Sequence, residues 1–190
     1  MIFTKINHKY FHEPGLGHFE NCATYHLLDK ERNAGLFICN SKAVFIKYLS
    51  MLIKIDIPKT ILQGSGFEII DTVSEIKMGR FDLPAAPLKK SEIGMLYYKN
   101  IQFEAERIMP GSWYSFFKKE TWGYYEMLLY TNSSEIKYKL KINTPKRYMP
   151  DTEFQNAAGE IETNDTDIII VLCGFFMLER MLHNIDLNSI

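Results

Sequence analysis

The sequence is poor in cysteine. Cys22, Cys39 and Cys173 are scattered and odd in number, so a disulfide framework is excluded as a source of stability. That usage suits a reducing compartment. No stretch supplies the roughly 20 mostly apolar residues that a membrane-spanning helix needs. Lys42, Lys47 and Lys54 interrupt the apolar region from Leu36 to Ile57. The first residues do not read as a secretory leader, because Lys5, Asn7, His8 and Lys9 stand where its apolar run would be. A cytoplasmic location is therefore expected. An excess of one charge is missing too. With 22 basic and 23 acidic residues the formal net charge is −1, which gives no global reason to bind nucleic acid. There is no Gly-x-Ser-x-Gly elbow, P-loop or dinucleotide fingerprint. Gly64-Ser65-Gly66 reads as a turn. No catalytic residue, cofactor or metal site is assigned on these grounds, and an enzyme with an unrecognised site stays open.

What is present is apolar and aromatic. The 190 residues are 46% hydrophobic and 14% aromatic, enough for one domain over 1–190 with a core of its own. Phe and Tyr favour strands, where flat rings pack on a pleated surface. Residues 1–21 hold His, Gly and Pro without a clear period and are expected to be irregular. Residues 22–163 read mostly as strands. Cys22–Leu28 and Ala34–Cys39 form a hairpin around a polar loop at 29–33. Val44–Ile57 fits a helix stripe in its first half and a strand alternation in its second. Phe67–Met78 reads as one or two strands. Gly94–Tyr98 and Ile101–Met109 pair around Lys99-Asn100, and Tyr124–Tyr130 is a further strand. Glu135–Ile142 is the clearest. Ile136, Tyr138, Leu140 and Ile142 share one face, while Glu135, Lys137, Lys139 and Lys141 share the other. Glu160–Thr163 completes the set.

The C-terminal segment, 164–184, is different. Asn164-Asp165-Thr166-Asp167 offers N-cap oxygens, and Asp167 suits the positive pole of a helix dipole. Arg180 and His183 suit the other pole. Between them Ile168–Leu178 is apolar without interruption, so the helix has no polar face and must be buried all round. The run rises only about 16 Å at ~1.5 Å per residue, short of a hydrocarbon core about 30 Å thick, which favours burial in protein. Gly174 in mid-helix costs about 1 kcal/mol against Ala. A close approach by a neighbouring strand or ring would explain it. Strands followed by such a helix predict a mainly β (α+β) fold, a sheet wrapped about a buried C-terminal helix.

The hairpin Tyr25-His26-Leu27-Leu28-Asp29 with Leu36-Phe37-Ile38, and the ending from Asp167 through Gly174-Phe175-Phe176 to Arg180, resemble the tubby-like superfamily. That group includes tubby C-terminal domains, LURP-one-related proteins and phospholipid scramblases. The resemblance implies a closed β-barrel around a central C-terminal helix. It also implies a function in binding phosphoinositides or in lipid handling. No cationic position of those relatives can be carried over residue by residue.

Candidate sites follow from residue type and spacing. Lys137, Lys139 and Lys141 point the same way, and Lys146 and Arg147 lie beyond them. Such a stripe could meet anionic lipid, each cation contributing about 1 kcal/mol near a charged membrane. It could equally be a solvated or edge-guarding strand face. His8, His12, His18, His26 and Cys22 gather early in the chain but match no metal-ligand spacing. Trp113, Tyr114, Phe116, Phe117, Trp122, Tyr124 and Tyr125, with Lys118 and Lys119 among them, suit a membrane-touching loop, a ligand wall or simple strand packing. Asp165 and Asp167 are too few for a calcium site and read as helix caps. The leading expectation is a module that binds an anionic lipid or another small amphiphile at a membrane surface. The alternative is a structural or protein-interaction domain that docks an unknown protein.

Overall fold

A computed structural model describes residues 1–29, 32–40, 42–57, 66–83, 92–108, 124–142, 157–165 and 167–187. Its strands follow one another around a ring. They are β1 (Ile2–Glu13), β2 (Gly17–Asp29), β3 (Arg32–Cys39), β4 (Ala43–Tyr48), β5 (Met51–Asp56) and β6 (Gly66–Asp71). The ring continues with β7 (Ile76–Asp82), β8 (Glu92–Tyr98), β9 (Ile101–Ile108), β10 (Tyr124–Tyr130), β11 (Glu135–Ile142) and β12 (Ala157–Thr163). Each pairs antiparallel with its sequence neighbours, and β12 pairs with β1, which closes the barrel. Closure removes the sheet edges that would otherwise invite pairing with other chains. One helix, α1 (Ile168–Leu187), follows the last strand.

The helix threads the lumen. Phe175 lies against Phe3 of β1 (ring centroids 5.0 Å apart), Tyr25 of β2 (4.6 Å), Phe37 of β3 (5.9 Å) and Tyr138 of β11 (5.7 Å). Phe176, about 100° further round the helix, meets Phe67 of β6 (5.6 Å) and Phe81 of β7 (4.5 Å). A helix that touches opposite walls with consecutive residues is central. Residues 169–179 are all buried, as an all-round apolar run requires. Gly174 has the role its position suggested. A Cβ there would overlap the phenol of Tyr138, whose hydroxyl donates to the Val171 carbonyl at 2.8 Å. Asp167 is the N-cap: its Oδ1 accepts from the Ile169 N–H at 3.0 Å and its carbonyl from the Ile170 N–H at 3.1 Å.

Several expectations change. Residues 1–21 are not irregular. They form β1 and the start of β2, paired in one continuous register from Ile2↔Leu28 to Glu13↔Gly17. The period was hidden because the hairpin outgrows the wall. Among the described residues, β1 beyond Lys5 pairs only with β2, and β2 before Ala23 pairs only with β1. The helix starts at Ile168 rather than 164 and runs to Leu187, so Arg180 and His183 precede its last turn, which holds no basic residue. Val44–Ile57 resolves into β4 and β5, with Leu49 between them in the left-handed region (φ 52°).

Because every strand reverses, connections alternate between the two barrel ends. One end carries the short turns 49–50, 72–75, 99–100 and 131–134, the meeting of β2 with β3, and the entry to the helix. The strands joined by 57–65, 83–91, 109–123 and 143–156 meet at the other, and the helix runs toward it.

Candidate functional site

The outward face of β11 carries Lys137, Lys139 and Lys141 side by side, as the alternation predicts. Their neighbours were not legible locally. Lys137 Nζ lies 3.2 Å from Glu126 of β10, and Lys139 Nζ lies 3.2 Å from Glu160 of β12. Lys139 also bonds Glu162. That bond holds the Glu162 carboxyl below its ordinary range and the Lys139 ammonium above its own. The register puts Lys139 opposite both Glu126 and Glu160, and Lys137 opposite Glu162. The stripe is thus half of a mixed-sign ladder, and its field is largely cancelled within the Debye length of about 8–10 Å. Lys146 and Arg147 lie outside the described residues. So do Trp113, Tyr114, Phe116, Phe117, Lys118, Lys119 and Trp122; Tyr125 is half-buried on β10.

A second polar group sits inside the barrel. Lys5 occupies the inward register of β1, after Phe3, and is 2% exposed; Glu179 of the helix is 5% exposed. The Lys5 ammonium and the Tyr25 hydroxyl both donate to Glu179 Oε1. The ammonium lies 5.3 Å from the centre of the Tyr25 ring. Burial first, and the Glu179 charge second, push the Tyr25 phenol well above its ordinary range. Cys39, half-buried at the end of β3, has its thiol raised first by burial and then by Glu179, with Lys5 and Arg180 opposing. Arg180 Nε is buried without a partner among the described residues. These groups cluster in the half of the lumen toward which the helix runs. Chemically the arrangement is a satisfied buried ion pair clamped by a phenol, and it fixes the helix against β1 and β2. Sequence reasoning missed it. The available signal was a lysine two positions after an inward Phe, and a glutamate ending an otherwise apolar helix.

The remaining candidates are structural. Asp165 Oδ2 accepts from the Ser134 hydroxyl at 2.7 Å and its Oδ1 from the Asp167 N–H at 2.8 Å. Asp167 Oδ2 pairs with Lys99 at 2.9 Å. These contacts are caps and a clamp on the helix entry. The early histidines lie on the β1–β2 hairpin. His8 bonds the Thr24 hydroxyl at 3.0 Å, and the His12 and His18 rings lie 4.4 Å apart. Among the described residues no three His, Cys, Asp or Glu side chains converge to hold a metal. No helix among them is long and apolar enough to cross a membrane.

The short-turn end differs from the charged wall. Ile2, Leu49, Val73, Ile76 and Ile101 are all exposed there, Leu49 to 82%. Comparison with family models, with curated proteins and with solved structures finds no match.

Proposed function

We propose that the domain is a binding module for another protein, met on the outside of the barrel at its short-turn end. The observation that carries this reading is the filled lumen. Small barrels that carry a ligand keep interior space for it, whereas here the axis is occupied by Val171, Leu172, Cys173, Phe175 and Phe176. A partner must then be recognised at the surface. Single exposed aliphatics are ordinary, but five of the six large apolar side chains most exposed among the described residues stand at this end, where a partner would gain most by covering them. Leu49 supports this reading further. A bulky side chain in left-handed backbone is costly, and at 82% exposure it returns little to the fold.

The anionic-lipid reading rests on the lysine stripe and on the tubby-like resemblance. The architecture is the one that resemblance implies, which leaves membership itself a proposal, and an architecture does not carry a function. Glu126, Glu160 and Glu162 beside the stripe favour a protein over an anionic bilayer. The test has two arms. Immobilised wild-type domain and the Leu49→Asp/Ile101→Asp variant are compared for retained proteins, and both are floated with phosphatidylserine vesicles. Retention of a discrete protein by wild type alone, with no flotation, is expected. Flotation that falls with salt and is lost on Lys139→Glu would replace this reading with the lipid one.

A further inference from the structure

The part of the β1–β2 hairpin that outgrows the wall does not project into solvent. It folds back over the outside of β3 and β4. Phe19 packs edge-on against Phe45 of β4 with ring centroids 5.3 Å apart. Phe19, Cys22, Leu36 and Ile38 form a small core separate from the lumen, with Phe11, Leu16 and Phe45 packed around it. The hairpin tip is latched by Glu13, whose carboxylate lies 2.6 Å from Lys47 Nζ on β4. The bend lies at Asn21, in the left-handed region (φ 47°). It breaks the alternation, so Phe19 and Cys22, three residues apart, face the same way. The hairpin therefore has a hinge, a latch and a contact surface of its own.

We propose that residues 6–21 are a hinged flap that closes over Cys22 and the Leu36–Ile38–Phe45 strip, and that acid lifts it. The titratable groups on and beneath it are few. Its first strand contributes His8, Lys9, Tyr10, His12 and Glu13, and its second His18, Glu20 and Cys22, with His26 just below. Lys47 comes from β4, and the part of β3 that packs in the small core presents Leu36 and Ile38. Between pH 7.5 and 5.5 the side chain whose protonation the closed flap opposes is His8. His8 is the pivot. It is half-buried at the flap base, stacked on Phe11 at 4.8 Å and bonded to Thr24. Burial first, and His26 second, hold its imidazole below the ordinary value of 6.5. The closed state thus binds fewer protons than the open one. Closure is complete above that value and weakens as pH falls through it.

The experiment reads Cys22, 3% exposed when the flap is closed. The full chain is treated with a dipyridyl disulfide at pH 7.5 and 5.5. Modification at each cysteine is located by mass spectrometry and normalised to the denatured chain at the same pH. The expected result is protection of Cys22 at pH 7.5 and a rise in its normalised rate at pH 5.5 of at most about tenfold, the ceiling that one imidazole's linkage sets over that interval. Cys173 should stay protected at both. Lys47→Ala should raise Cys22 labelling at pH 7.5, and His8→Gln should flatten the pH dependence. Cys22 labelling as fast as in the denatured chain at pH 7.5 would overturn the flap. A normalised rate equal at the two pH values, or a rise in step with Cys173, would overturn its control by acid.

Discussion

Gly174 shows how one residue's environment reverses its propensity. On an exposed helix, replacing glycine by alanine gains about 1 kcal/mol. Here the added methyl would overlap the Tyr138 phenol, which is held between β11 and the Val171 carbonyl. Neither group can move far: the ring belongs to a wall strand and the helix is packed on all sides. Overpacking then decides the sign. Gly174→Ala should lower unfolding stability by roughly 1–3 kcal/mol, read from the denaturant midpoint at unchanged slope. A stabilised variant would mean that Tyr138 does not lie against the helix. The glycine's purpose was legible in the sequence, because nothing else justifies its place in an apolar run. Its partner was not, because Tyr138 stands 36 positions earlier.

Among the elements, local pattern located strands and missed their relations. Tyr124–Tyr130 and Glu135–Ile142 begin and end where turn chemistry and alternation place them. β1 escaped notice because it does two jobs in sequence. Phe3 and Lys5 line the lumen, and the residues after them build a hairpin outside it, so no single period describes the strand. The lysine stripe was legible as a shared face, but the glutamates that answer it belong to β10 and β12 and depend on non-local register. The Lys5–Glu179 pair is of the same kind: a strand near one terminus meets a helix near the other. This link should behave as buried ion pairs do. Lys5→Met alone should cost about 3–5 kcal/mol by leaving the Glu179 carboxylate buried without the Lys5 charge. The double variant Lys5→Met/Glu179→Leu should recover most of that loss. What remains is the cost of an unsatisfied Tyr25 hydroxyl, about 1–3 kcal/mol. Additive losses in the double-mutant cycle would show that the two side chains do not interact.

For the whole molecule, the strands and the helix are parts of one object. A sheet closed on itself with an empty axis would leave Phe3, Tyr25, Phe37, Phe67, Phe81 and Tyr138 facing a void, and the helix outside it would expose an apolar surface on every side. Each solves the other's problem, so neither should persist alone. The function proposed for the outer surface depends on that occupancy. Native-state hydrogen exchange tests it most directly. The amides of Val171, Leu172, Cys173, Phe175 and Met177 should exchange only through global unfolding, with the free energy and denaturant dependence of the slowest strand amides in β3 and β11. Exchange of those helix amides at a clearly lower free energy, while the strands stay protected, would show a helix that leaves the barrel intact behind it and would contradict the account.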